Sequence, residues 1–577
     1  MEERLKAAMV RGYERMAAWS DLLDDINVYP VPDADTGRNL RISLAPLKFI
    51  PEKELAEHLL MTATGNSGNI AGAFFSRFIQ AEAPGGLPDA ATKGREAAWA
   101  ALQEPKPGTM LTVFDALARV LGPTNLATTL AAPELVLEQM KIAVLSTSGM
   151  LAELRQAEVV DAGALGMFLF FEGFFRSLAE RPEALSNPFE LFGEKIRLAR
   201  PVKAAAEKGY CIDTVIQPSN METATRQLSS FGENVVTIAD DRHLKIHLHA
   251  VDEHAAKSNL SAVGQMVRWK SEKIENAPSR APVRSAAVHI VTDAAGSMNR
   301  KAAGELGITL LDSYIIMGDQ HLPESMVSAE GLYDAMSKGV KVTTAQASTF
   351  ERHQHYRYLT QRFEELLYLC VGSAYTGNYE AARQWIDRQP AGCRMQVMDT
   401  GAASGRLGLI ARQVARYAAA GKSSGQVFRH AGSVACQCDE LVFLDQLKFL
   451  AAGGRISKSS GFFGDLLRIK PIIRPGAEGA QKVGAVKKHT DQEAFLLNHL
   501  DQCLDRRSPV EILLQYTNNQ DRVLSRIRPL IQEHLPGARI STHPMSLTAG
   551  VHMGPGTWAV AFITKAQRQA CEQEETG

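Results

Sequence analysis

The chain has 577 residues, 45% hydrophobic and 22% charged, a balance that excludes a disordered chain and gives roughly three to four domains. Its 63 Lys and Arg stand against 64 Asp and Glu, so no global field selects nucleic acid or an anionic membrane; only local patches leave room for peripheral membrane contact. The N-terminal M-E-E-R-L-K-A-A-M-V lacks a secretory core, no run reaches bilayer-spanning length, and seven cysteines in no framework spacing argue for reduced thiols, so a cytoplasmic protein is expected.

From Glu2 to about Leu198 apolar residues recur at three- and four-residue spacing, which predicts helix after helix. Within this stretch lies N-V-Y-P-V-P-D-A-D-T-G-R-N, Asn27 to Asn39. Asp33 and Asp35, two residues apart on an extended Pro30/Pro32 lead-in, are expected to converge on one hard cation, with Asn27 and Asn39 as neutral oxygen ligands and Gly37 turning the backbone after them. Read alone, the same residues also make an Asx-turn. No G-x-x-x-x-G-K-[ST] occurs, so phosphate must be held by another small-residue loop. Thr64-Gly65-Asn66-Ser67-Gly68 is the best candidate: its glycines permit close approach and the following helix offers free amides, although a plain N-cap fits equally well. Thr109-Met110 and Asp161 each open a further helix and read as caps.

Together these motifs resemble the bacterial fatty acid kinases, whose kinase domain belongs to the DhaL-like family of dihydroxyacetone (glycerone) kinases. The resemblance implies an all-α helical barrel kinase domain over residues 1–198, with ATP and two Mg²⁺ held by Asn27, Asp33 and Asp35. It places Thr64, Gly65, Asn66, Ser67, Gly68, Thr109, Met110 and Asp161 around the nucleotide. Where the family has G-A-R-G-N-S-G, this chain has Thr62-Ala63-Thr64-Gly65-Asn66-Ser67-Gly68, so an arginine is replaced by Thr64.

After Pro201 short β-branched runs predict a small α+β middle domain, 201–275. In L-K-I-H-L-H, His247 and His249 share one face of a strand, a spacing that suits Zn²⁺ or simply a polar face. Gly209-Tyr210-Cys211 and this run resemble the G-Y-C and K-V-H-V-H of the kinases' middle domain, which implies a structural zinc on Cys211, His247 and His249. Residues 276–286, with two prolines and no apolar period, read as a linker.

From Ala287 strands alternate with helices, an α/β pattern with functional positions expected at strand ends. Val291-Thr292-Asp293, the Thr344 and Ser373 segments, Gly453-Gly454-Arg455-Ile456 and His552-Met553-Gly554 occur in that order. They resemble the DegV family, the fatty-acid-binding partners of the same kinases, and imply a two-lobed lipid-binding domain over 287–570. By position, Thr344 and Ser373 would bond a fatty acid carboxylate, while Arg455 and His552 would orient it for catalysis. Ala294, Ala345 and Gly372 each stand where that family carries a hydroxyl-bearing residue.

The reading that follows is a fusion: an ATP-dependent fatty acid kinase and its lipid carrier in one chain, forming an acyl phosphate for phospholipid synthesis. The resemblance implies a downstream acyltransferase as partner, and a homodimer is expected. The alternatives are a catalytically weak fatty-acid carrier or sensor, or a dihydroxyacetone-type small-molecule kinase.

Overall fold

The computed structural model describes residues 1–49, 51–122, 130–197, 209–274, 286–318, 320–390, 392–453, 469–504 and 510–563. The expected linker, apart from residue 286, and Arg455 lie outside the described residues. The chain divides into two compact units, Met1–Arg280 and Ala281–Gly577. Among the described residues no helix is long and apolar enough to cross a membrane.

The first unit opens with eight helices: α1 (Glu3–Ala18), α2 (Ser20–Asp25), α3 (Thr36–Ser43), α4 (Pro46–Phe49), α5 (Glu52–Thr62), α6 (Gly65–Phe78), α7 (Leu87–Ala100) and α8 (Met110–Val120). The helix Ala162–Leu178 is buried on almost every side and sits against α1. Its phenylalanines interleave with Phe74, Phe75 and Phe78 of α6, and Phe74 stacks on Phe114 at 4.0 Å. Glu172, a charge in the middle of this apolar run, is buried against Arg15, whose Nε and Nη2 donate to Oε2 at 3.1 and 2.9 Å. The two helices touch closely because Gly12 and Gly173 carry no Cβ, which at either position would fall 2.7 Å from a facing carbonyl oxygen.

Four strands follow, β1 (Tyr210–Pro218), β2 (Glu233–Ala239), β3 (Leu244–Ala250) and β4 (Gly264–Lys273), in the antiparallel order β2-β3-β1-β4. Side chains alternate across a strand. Ile212, Leu244, Ile246 and Leu248 therefore face one side, where they form a core with Ala224, Ala256 and Leu260 of two small helices. Residues of the opposite parity face the helical region: α6 lies against β1, β2 and β3, and Thr237 N donates to Ala101 O at the end of α7 at 2.8 Å. Every residue of β3 is buried.

The second unit is α/β. Strands β5 (His289–Asp293), β6 (Ile308–Leu311), β10 (Leu366–Cys370) and β11 (Met395–Asp399) make a parallel sheet in the order β11-β10-β5-β6. Strands β7 (Tyr314–Met317), β8 (Gln320–Pro323) and β9 (Val342–Ala345) form an antiparallel sheet. The largest sheet runs β14-β13-β12-β17-β15-β16, built from β12 (Cys438–Phe443), β13 (Lys470–Gly476), β14 (Gly479–Val486), β15 (Glu511–Tyr516), β16 (Arg539–Pro544) and β17 (Trp558–Ile563). The helix Ser404–Ala419 packs against both β5 and β17, joining the parallel and the mixed sheet through one core. Among the described residues Cys211, Cys370, Cys393, Cys438 and Cys503 are free thiols.

Two buried carboxyls in this unit make its stability depend on pH. Burial pushes Glu324 and Glu440 up to about 7, although Thr548 donates to the first and Gln515 and the amides of Gly405 and Arg406 donate to the second. An unfolded Glu gives up its proton near pH ~4.3, so between about pH 4.5 and 7 the folded chain holds protons that the unfolded chain has lost. Stability from these groups therefore falls as pH rises through that window. Calorimetry on Glu324→Gln, which keeps one acceptor for the Thr548 amide and offers an NH2 donor to its hydroxyl, is expected to show a shallower decline of the thermal midpoint from pH 5.5 to 7.5 than the unmodified chain; an unchanged slope would contradict this assignment.

Candidate active site

The segment between α2 and α3 is not simply extended. The left-handed turn falls at Ala34, with φ 56°, rather than at Gly37, which lies inside α3 where a Cβ would stand 2.0 Å from Ser20 O. The turn still brings Asp33 and Asp35 to one cavity, lined also by Asn27, Tyr29, Thr36, Gly65, Asn66 and Ser67. Asn27 Nδ2 donates to Asp33 Oδ1 at 2.7 Å and its Oδ1 accepts from Thr36 Oγ1 at 3.0 Å. Thr36 and Ser67 hydroxyls meet at 3.2 Å and tie the acidic loop to the glycine loop. Asp24 serves a different end, since its Oδ1 accepts the Gly37 and Arg38 amides and so caps α3. Asn39 packs its amide against Gly65 and is not among the cavity residues.

Electrostatics single out the acidic pair. Burial first, and then the adjacent Asp35 charge, push Asp33 up to about 9. Two carboxylates held together, with no Lys or Arg among the described residues that line the cavity, form a donor set suited to a hard divalent ion, which removes the repulsion by binding both.

The cavity has a second wall. Cys211 of β1 and His247 and His249 of β3 line it, and their ligand atoms lie within 4.8 Å of one another. This follows from register: Cys211 pairs with His249, and Asp213 pairs with His247 on the next rung of the same face. His247 Nε2 is buried without a hydrogen-bond partner, while Nδ1 is 3.3 Å from Asp213 Oδ1. Burial lowers the His247 affinity for a proton, but the Asp213 charge outweighs it and brings the group up to about 10; burial and His247 hold His249 down to about 4. Soft sulfur and imidazole nitrogen at this spacing fit Zn²⁺. The trio shares its cavity with the acidic loop.

Thr64 does not line that cavity. Its hydroxyl donates to Asp213 Oδ2 at 2.8 Å, beside the Gly65 amide at 3.0 Å. Gly68 faces α3, where a Cβ would lie 2.1 Å from Ser43 Oγ. Thr109, Met110 and Asp161 form a neighbouring group outside the cavity lining: Thr109 caps α8, and Asp161 accepts the Ala164 amide at 2.7 Å, with burial pushing its carboxyl up to about 7. Tyr29 lines the cavity and packs against the small core of Val28, Leu154 and Val159.

In the second unit Thr344 Oγ1 and His552 Nε2 meet at 3.1 Å, which joins β9 to the helix Leu547–Met553 across 208 residues. Ser373 lies past the end of β10, with its amide donating to Asp399, and forms no hydrogen bond with Thr344. At Gly372 a Cβ would be 2.9 Å from Gly401 Cα, so the missing hydroxyl there reflects close backbone packing. Asp293, at the end of β5, is committed to the interior: it accepts from Tyr368 Oη, Asn378 Nδ2 and Val371 N at 2.8 to 2.9 Å and faces buried Arg352.

Comparison with known families divides the sequence in the same way: residues 30–176 match the DAK2 domain, 207–279 the FakA-like middle domain of fatty acid kinases, and 287–565 the DegV family. One chain joins a DAK2 domain, a fatty acid kinase middle domain and a DegV domain. The cavity is thus built by the DAK2 domain and the middle domain together, and the Thr344–His552 pair belongs to the DegV domain. An uncharacterized protein of Staphylococcus haemolyticus is 27% identical over 296 residues, covering 46% of this chain and 54% of the relative. One from Staphylococcus saprophyticus is 27% identical over 306 residues with the same coverage. The chain thus spans about half the length of these curated relatives. Among solved structures, a DegV family protein from Thermus thermophilus, described for its fatty acid binding, is 20% identical with a TM-score of 0.45, covering 48% of this chain and 99% of its own. DegV from Bacillus subtilis, described as a fatty acid binding protein, is 17% identical with a TM-score of 0.44 over the same shares.

Proposed function

We propose that this chain is a fatty acid kinase fused to its lipid carrier, transferring the γ-phosphoryl of Mg-ATP to the carboxylate of a fatty acid held by the DegV domain. The observation that carries the proposal is the single cavity in which Asp33 and Asp35 face the Gly65–Ser67 loop and the Cys211, His247 and His249 trio. In this reading Asp33 and Asp35, with Asn27 orienting Asp33, hold Mg²⁺, and the amides opening α6 face phosphate oxygens. Bound Mg²⁺ would supply charge neutralisation for the phosphates, and zinc on the trio a Lewis-acidic centre in the same cavity. Thr109, Met110 and Asp161 shape the neighbouring nucleotide region. Thr344 and His552 would meet the fatty acid head group, with Ser373 and Arg455 as further contacts.

Purified protein with Mg-ATP and oleate or palmitate, trapped with hydroxylamine, should yield the hydroxamate of the fatty acid. His552→Ala and Arg455→Ala should lower that yield while leaving Mg-ADP binding intact. The metal-replete protein should also hold about one zinc per chain beyond exchangeable Mg²⁺. Full hydroxamate yield from both variants would remove the head-group assignment, and no hydroxamate at all would remove the fatty acid kinase.

A further inference from the structure

The DAK2 domain and the middle domain meet at one carboxylate that neither the acidic loop nor the metal trio contains. Asp213, on β1, is 4% exposed. Its Oδ2 accepts the Thr64 hydroxyl at 2.8 Å and the Gly65 amide at 3.0 Å, at the turn that opens α6. Its Oδ1 accepts Asn69 Nδ2 at 3.0 Å, and the same Asn69 nitrogen donates to Gly65 O at 2.7 Å, closing the turn from within α6. That Oδ1 is also 3.3 Å from His247 Nδ1 and 3.5 Å from the ammonium of Lys245, itself only 2% exposed. Lys245 and Asp213 share the face that bears His247, so the carboxylate stands where both domains need an acceptor.

A carboxylate that accepts from one imidazole nitrogen fixes the tautomer and frees the other nitrogen to ligate a metal. His247 Nε2 is that other nitrogen, buried with no hydrogen-bond partner, whereas Nδ1 lies between Asp213 Oδ1 at 3.3 Å and Cys211 Sγ at 4.0 Å, so Asp213 and the thiol compete for it. We infer that Asp213 is a positioning residue for both halves of the site: it holds the Thr64–Gly65 turn in its phosphate-facing shape and directs His247 Nε2, rather than Nδ1, to the metal. The inference rests on the site proposed above. It also gives Thr64 a role of its own, since a short hydroxyl here reaches Asp213 and leaves the cavity wall to Gly65, Asn66 and Ser67.

The test measures two equilibria on the full chain: Co²⁺ affinity in competition with a chelator, and Mg-ADP affinity by calorimetry. Asp213→Asn is expected to weaken Co²⁺ binding by roughly ten- to a hundredfold, the usual loss for a partner behind a metal ligand, and to weaken Mg-ADP as well. Thr64→Val, which removes only the hydroxyl arm, should weaken Mg-ADP and leave Co²⁺ affinity as it was. His247→Ala serves as the reference and should abolish tight Co²⁺ binding. If Asp213→Asn folds and matches the unmodified chain in either equilibrium while His247→Ala loses Co²⁺, the Asp213 inference falls and the site stands. If the unmodified chain binds neither probe, the site falls, and the Asp213 role with it. Should Asp213→Asn fail to fold, a zinc-loaded structure of the unmodified chain decides the metal arm: zinc on Nε2 with Nδ1 kept on Asp213 supports the inference, and zinc on Nδ1 overturns it. Thr64→Val then decides the nucleotide arm.

Discussion

Replacing Asp33 or Asp35 by alanine is expected to lower ATP turnover by about a thousandfold or more, while fatty acid binding by the DegV domain is unchanged. The magnitude follows from transition-state charge: losing one carboxylate from a metal site removes several kcal/mol, and each ~1.4 kcal/mol is tenfold in rate. The same substitution should leave the metal-free fold no weaker. Burial and the Asp35 charge keep Asp33 protonated at neutral pH, where an unfolded Asp is ionised, so alanine there removes a cost that the folded chain otherwise carries. Steady-state turnover together with thermal unfolding in chelator checks both halves of the expectation. Normal turnover in both variants would remove the acidic loop from the site, and a variant that is inactive because it is unfolded would show a lowered midpoint.

The second large effect is structural. Asp293→Ala should strip the second unit of its best-satisfied buried carboxylate and leave Arg352, itself buried, without its carboxylate partner. Breaking a buried pair in this way costs about 3–5 kcal/mol, and here the Tyr368 hydroxyl, the Asn378 amide and the Val371 backbone N–H lose an acceptor as well. Hydrogen exchange suits a chain of two units better than a single unfolding midpoint, because it reads each strand separately. Amides of β5 and β10 should lose protection by roughly a hundredfold or more in the variant, whereas β1 and β3 of the first unit should not change. Unchanged protection in β5 would mean that the network around Asp293 contributes little to holding the sheet.

Asp293 also shows how little a short motif says: V-T-D at a strand terminus carries part of the family resemblance, and four donors enclose its carboxylate in the interior. Nothing in a three-residue motif distinguishes a carboxylate that faces a ligand from one that faces Tyr368, because its partners lie 59 to 85 residues away. The helical texture, the strand-rich middle and the α/β second half were legible because each depends on local periodicity. So was the shared face of His247 and His249, since spacing along one strand fixes it; Cys211 came with the family resemblance, and Asp33 and Asp35 meet through a left-handed turn at Ala34 rather than through extended spacing. The meeting of those two groups in one cavity was not, because it depends on how β1 and β3 pack against α6. Asp213 and Lys245 were missed although a signal existed. Each is a charge placed two residues from a candidate ligand in an otherwise apolar strand, on the ligand's own face. A charge so placed needs a partner, and the partner was one rung away.

The Thr64–Gly65 turn depends on a carboxylate that comes 149 residues later in the chain. At a synthesis rate of about 5–20 residues per second, the turn waits roughly 7 to 30 s on the ribosome before Asp213 is even made, and longer until β3 emerges to pair with β1. During that interval its hydroxyl and amide have only water as partners. The Thr64–Gly65 turn is therefore completed after the helices around it, and a nascent chain that ends before β1 lacks the carboxylate that closes it.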